Sequence, residues 1–365
     1  MTVLDRARSP RPASPAADGT GPRTLLIRRG GWLSMRVRAR TVVVVAGLVL
    51  IALVAAVVAL GVGEYRVDPA TVLSVLTGQN TGFDSVVVLE WRMPRILLAL
   101  VLGAVLGMSG AIFQALTRNP LGSPDIIGFG IGAYTGALVA LAVFGGGYYL
   151  MAGGAIVGGM ITAVAVYALA YRSGVAGFRL IVVGIAVSAV LNSVNQWIVI
   201  TIDLKQAITA SVWSQGTLSG VEWTQLLPVA VCSAGAIVAV CALGSQLAVL
   251  QMGDDAAGAL GVRVERVRLA YLVVGVVLVA VATAAAGPIS FVALAAPQLA
   301  RRLSGAAGVG LVGSAAMGAV LLLVSDLVAQ TVLAPTQLPV GAVTVCVGGL
   351  YLVWLLITQV RRGRG

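Results

Sequence analysis

QMGDDAAGALGVRVERVR, residues 251–268, is a charged stretch between two long uncharged runs, 225–248 and 269–300. Two neighbouring membrane spans could be joined by a handful of polar residues; this linker is longer and patterned. Its centre, Asp255-Ala256-Ala257-Gly258-Ala259-Leu260-Gly261, has an acid, small residues and a terminal glycine. That composition predicts a short exposed helix with an Ala/Gly face, stopped by Gly261, which a partner can approach closely. An ordinary surface turn is the plainer reading. The docking reading directs attention to a soluble partner at a membrane surface.

Composition outside the stretch agrees with a membrane chain. Of 365 residues, 59% are hydrophobic and 10% charged, and the mean hydropathy is +1.01. A soluble domain carries about 25% charged residues. Apolar runs long enough to cross a hydrocarbon core, about 20 residues, fall at 41–62, 94–116, 123–144, 148–171, 180–201, 225–248, 268–286, 307–330 and 339–359, with a shorter one at 289–300. Lipid offers the backbone no hydrogen-bond partner, and the glycine-rich runs lack strand alternation. The expected fold class is therefore all-α integral membrane, about ten transmembrane helices in one bundle over residues 41–360.

Net charge is +11, which in a soluble protein would suggest nucleic acid. Placement argues otherwise. With the N-terminus inside, 20 of the 24 basic residues fall on the inner side, leaving Arg66, Arg92, Arg95 and Lys205 outside. This satisfies the positive-inside rule and predicts both termini cytoplasmic. Residues 1–40, rich in Pro, Ala, Ser and Arg, read as a disordered basic tail, and 361–365 as a second. The reading expects neither a signal peptide nor a C-terminal lipid anchor. Cys232, Cys241 and Cys346 fall inside spans as small apolar residues, and the chain has no histidine. No disulfide framework or metal site is expected.

Several chemistries lack their residues. The only lysine, Lys205, is not in a phosphate-binding loop, so no ATPase site is expected on this chain. Asp326 is the one clearly ionisable residue within a span, with Asp125 near an entrance; an intramembrane enzyme or ion-coupled carrier would need more. Asp68-Pro69 predicts a short capped helix in the outer loop 63–93. Gly103/Gly107 and Gly154/Gly158 offer faces for close helix contact. Asn192, Asn195 and Gln196 recur at helical spacing, as interhelical hydrogen bonds or as a polar pathway stripe. Arg92 and Arg95 at an outer helix end suit either headgroup snorkelling or pairing with a partner's carboxylates.

Four stretches together resemble the iron-siderophore/cobalamin (FecCD-type) permease family, membrane subunits of type II ABC importers. They are Trp91-Arg92-Met93-Pro94-Arg95 with the run from Leu98 to Gln114; Asn119-Pro120-Leu121-Gly122-Ser123-Pro124; Gly253 to Arg268; and Gly287-Pro288 through Ala296-Pro297-Gln298 to Arg301, echoed by Leu338-Pro339-Val340-Gly341. The resemblance covers about 41–360. It implies a non-enzymatic permease in a bacterial cytoplasmic membrane, importing a ferric siderophore. It also implies two ABC ATPase subunits holding ATP and Mg, an extracytoplasmic binding protein and a second permease subunit.

By the same resemblance, Asp254, Asp255, Ala256, Ala257, Gly258, Leu260 and Gly261 of loop 249–267 couple to the ATPase, and Arg92 and Arg95 dock the binding protein. Asn119, Leu121, Gly177 and Phe178 form an inner gate; Asn192, Asn195 and Gln196 are pathway candidates by their spacing. The family often has His where Gln298 stands, Glu at Gln337 and Arg at Gln330. The Pro-Gln form resembles permeases for catecholate-type chelates, and the lost arginine leans toward a heterodimer over a homodimer. The alternatives are a cobalamin or haem permease, or, in a different class, an ATP-independent carrier or channel.

Overall fold

The computed structural model describes residues 24–29, 33–171, 177–244, 246–306 and 308–362. The described chain opens with an antiparallel hairpin, β1 (Thr24–Arg29) and β2 (Leu33–Arg38), pairing Arg29 with Leu33 and Thr24 with Arg38. Helices follow: α1 (Ala39–Gly61), α2 (Pro69–Leu76), α3 (Phe83–Ser85), a π-helical stretch Val86–Arg92, α4 (Met93–Thr117), α5 (Phe129–Phe144), α6 (Tyr148–Ala170) and α7 (Gly177–Thr201). Next come α8 (Leu204–Trp213), α9 (Trp223–Ala242), α10 (Gln246–Leu250), α11 (Asp254–Ala259), α12 (Val264–Ala286), α13 (Val292–Ser304), α14 (Leu311–Thr331) and α15 (Val340–Arg362).

A helix stands at each of the ten predicted segments. Seven are long and apolar enough to cross a membrane: α1, the continuous Phe83–Thr117 helix, α6, α7, α9, α12 and α14. Shorter apolar helices cover Phe129–Phe144 and Val340–Trp354. The hairpin falls within the stretch 1–40 that was expected to be a tail, ahead of an otherwise all-helical described chain. Glycines at 30 and 31 between two runs of strand-forming residues are a hairpin signal that the Pro/Arg-rich surroundings obscured. Residues 1–23 of that tail, Arg172 and residues 363–365 lie outside the described residues.

The core is built around α4 and α12, which pack on each other and on α14, α13, α6 and α9. Between apolar helices in lipid the driving force is close packing rather than water release, so small residues decide who touches whom. A Cβ placed on Gly103 would lie 2.4 Å from the Gly318 carbonyl oxygen, and one on Gly107 2.1 Å from that of Ser314. The second predicted glycine pair does the same for α5 and α6: a Cβ on Gly154 or Gly158 would meet the backbone of Gly136 or Gly132 at 2.4 Å.

Helix α5 has 16 residues, about 24 Å at 1.5 Å per residue. The turn before it, 118–128, is irregular and its second half is shielded: Ser123 and Ile127 are buried. Ile127 also lies against Gly184 of α7. Irregular backbone at membrane depth is tolerated where protein covers it. Asp68 caps α2 through the Ala70 N–H with Pro69 first in the helix, as its sequence predicts.

Candidate functional site

The predicted docking element is a helix. In α11, Gly253 precedes the first turn and Gly261 ends it in the left-handed region at φ +79°. The Val262 N–H donates to the Ala257 carbonyl (3.0 Å) and the Gly261 N–H to that of Gly258 (2.9 Å), the paired bonds of a glycine-stopped helix end. Ala257 packs inward at full burial, while Asp255, Gly258, Ala259 and Leu260 face out, Leu260 at 64% exposure. Met252 adds a second exposed apolar side chain. The result is a small apolar knob rimmed by acid.

Asp254 points the other way. Both of its carboxylate oxygens accept from the Arg268 Nη2 (2.8 Å each), and Oδ1 accepts also from Arg118 at the end of α4. Partial burial pushes this carboxyl up, but the two guanidiniums outweigh it and hold it below the usual carboxylate range. Glu265 completes the cluster through Arg268 Nη1 (2.6 Å).

Beside Arg118 lies the predicted inner-gate turn. The Asn119 Oδ1 accepts from the Leu121 N–H (2.9 Å), closing an Asx turn that leaves Leu121 half exposed. Gly177 begins α7 against this same end: a Cβ there would sit 2.6 Å from the Thr117 backbone. Phe178 follows, exposed. Gln298 donates to the Pro120 carbonyl (3.3 Å) and to Gln114 Oε1, and Gln114 donates to the Leu294 carbonyl (3.0 Å).

Asn192, Asn195 and Gln196 share a cleft of about 890 Å³ with Tyr134, Gln215 and Ser290. It lies between α5, α7, the turn after α8, the α12–α13 break and the start of α15, and its lining holds no charged residue. Asn195 is 4% exposed and neither its Oδ1 nor its Nδ2 has a hydrogen-bond partner within the protein. A buried amide left unpaired is costly, so this side chain is set apart from the hydrogen-bonded polar residues around it.

The two outer arginines are both engaged internally. Arg92 donates to the Leu60 and Tyr65 carbonyls, tying down the loop after α1. Arg95 is held by a carboxylate. Its Nε and Nη2 clasp Asp326 of α14 at 2.9 Å, and its Nη1 donates to Gln337 (2.8 Å). Side-chain exposure is 12% for Arg95 and 1% for Asp326. A carboxylate inside a span needs a cation, so Arg95 is not a free docking charge. Gln330 also donates to Asp326 (2.8 Å), so two of the three family departures, Gln330 and Gln337, touch this pair.

Sequence reasoning missed this partnership and the Arg118–Asp254–Arg268 cluster. The spacing rules read neighbours along a helix, and these partners lie up to 231 residues apart. The one available signal was the lone intramembrane carboxylate itself.

Comparison with known proteins follows the same outline. The model of the FecCD transport family matches residues 49–358. The chain is 47% identical over 315 residues to the ferric enterobactin transport system permease protein FepG of Escherichia coli (strain K12), covering 86% of this chain and 96% of that protein. It is 34% identical over 296 residues to the hemin transport system permease protein HmuU of Yersinia pestis, covering 79% and 89%. Among solved structures, an inward-facing metal-chelate type ABC transporter superposes with a TM-score of 0.75 at 27% identity, covering 87% of this chain and 99% of that one.

Proposed function

This chain belongs to the FecCD transport family of multi-pass ABC permeases for iron-siderophore import, and on that premise we propose that its own cargo is a ferric siderophore of the catecholate type. The observation that carries the cargo assignment is the 47% identity, over nearly the whole length, to a permease named for ferric enterobactin. Gln298 in place of the family's frequent histidine supports it. The haem alternative rests on a relative at 34% identity.

In this reading the chain makes ten crossings with both termini cytoplasmic, as the charge distribution favours. The exposed face of α11, with Asp255, Ala256, Gly258, Leu260 and Gly261, seats an ATPase subunit that holds ATP and Mg. An extracytoplasmic protein delivers cargo at the outer loop around Arg92, with Arg95 bracing that end from within. A second permease subunit faces the Asn192–Gln196 cleft. The turn Asn119–Leu121 with Gly177 and Phe178 closes the inner mouth. A large chelate needs polar contacts weak enough to release it again, and a neutral amide-lined wall suits that.

The test is uptake into proteoliposomes holding the importer assembled with its ATPase and binding protein. A ferric catecholate should accumulate with ATP, while ferric hydroxamate, haem and cobalamin do not. Accumulation of haem or a hydroxamate instead would overturn the cargo while leaving the importer class intact.

Asn195→Leu separates the pathway role from a packing role. Leucine fills similar volume and removes an unpaired buried amide, so thermal stability in detergent should hold or rise. Catecholate uptake should fall by roughly fivefold per hydrogen bond lost to the cargo. Unchanged uptake would assign Asn195 to helix packing alone.

A further inference from the structure

The inner turn Asn119–Leu121 is held from two sides by chemically different anchors. On one side the amide chain Gln114–Gln298 reaches the Pro120 carbonyl, with both glutamines buried. On the other, Arg118, the residue before the turn, pairs with Asp254, the first residue of α11. We propose that the Arg118–Asp254 ion pair is a strut through which movement of α11 is transmitted to the inner turn. This rests on the importer reading above.

Three observations favour a strut over a passive surface pair. Asp254 does not cap its helix, since no side-chain cap bond is made there and Gly253 holds the cap position. Its carboxylate is instead set by Arg268, which is buried on α12. Arg268 thus fixes the position of the carboxylate, and Arg118 couples that position to α4.

The second observation is exposure. Arg118 and Asp254 are 44% and 49% exposed, unlike the buried Arg95–Asp326 pair. An exposed pair is weak and can be broken and remade, which suits a moving joint. The third is space. A void of about 130 Å³ behind the turn, lined by Gln114, Arg118, Asn119, Pro120, Gln251 and Gln298, gives the turn somewhere to go. The arrangement supplies a contiguous contact between the two elements and space beside the turn.

The experiment uses the assembled importer in proteoliposomes, with Cys232, Cys241 and Cys346 replaced by serine and a spin label at Leu121. Adding ATP should change the label's mobility in the parent protein, and this readout needs no cargo. In Arg118→Ala the label should cease to respond and ferric catecholate uptake should fall about tenfold, within the usual span of coupling between sites. ATP hydrolysis should stay within about twofold because Arg118 lies off the exposed docking face. Arg118→Lys should recover uptake to within about threefold, since a point charge retains the pair but not its fork.

An Arg118→Ala protein whose label still responds and whose uptake is intact would overturn the strut. Loss of ATPase association would also overturn it, by making Arg118 a docking contact. A parent protein that binds no ATPase subunit would bring down the importer reading itself, a result visible before any variant is made.

Discussion

Gly110→Val is expected to leave little folded protein in the membrane. A Cβ at Gly110 would lie 1.7 Å from the Ala293 carbonyl oxygen, where α4 meets the start of α13. Overpacking a core usually costs about 1–3 kcal/mol, because neighbouring side chains can rotate away. Here the obstacle is backbone on both sides, so the two helices must separate, and the cost should exceed that range. Gly153→Val and Gly235→Val are the controls, since nothing lies within 4 Å of a Cβ at either position. The measurements are membrane yield and the unfolding midpoint in detergent. Gly110→Val with the yield and midpoint of the controls would refute the packing account.

Asp326→Ala should be comparably damaging. It leaves the Arg95 guanidinium buried with only Gln337 as partner, and breaking one side of a buried pair costs about 3–5 kcal/mol. Removing both charges should be milder: Arg95→Met with Asp326→Leu is expected to recover most of the loss, as apolar replacements of buried pairs generally do. A double-mutant cycle on thermal stability decides the matter, and additive single losses would mean that the pair does not act as a unit. A practical consequence follows for the outer face. Arg95→Glu would oppose Asp326 and disrupt the fold, so docking of a binding protein is properly tested at Arg92.

What the sequence made legible has a physical boundary. Long apolar runs are properties of consecutive residues. Hence a helix stands at each of the ten expected segments, and the stops at Gly261 and Asp68-Pro69 come out as read. The exposed face of α11 and the close approach at Gly103 and Gly107 were also local readings, because glycine and alanine announce them. Helix α8 was missed because its ten residues mix polar and apolar positions within an outer loop read chiefly for its tryptophans. The Arg95–Asp326 pairing was not legible because its two partners sit on helices far apart along the chain. Residues whose roles depend on a distant neighbour, Arg118 and Gln298 among them, become intelligible only once the chain has folded.

The short α5 has a consequence for the surrounding bilayer. Its 16 residues give about 24 Å of helix, against about 30 Å of hydrocarbon thickness, while the 25-residue α4 runs about 37 Å. The outward face of α5 ends in exposed Val143 and Phe144, so apolar cover stops early on that flank. Lipid tails beside it must shorten or tilt, whereas those elsewhere need not, at a cost of a fraction of a kcal/mol per Å. The expected result is an annulus of uneven thickness, in which acyl-chain length acts on one flank of the molecule more than on the others.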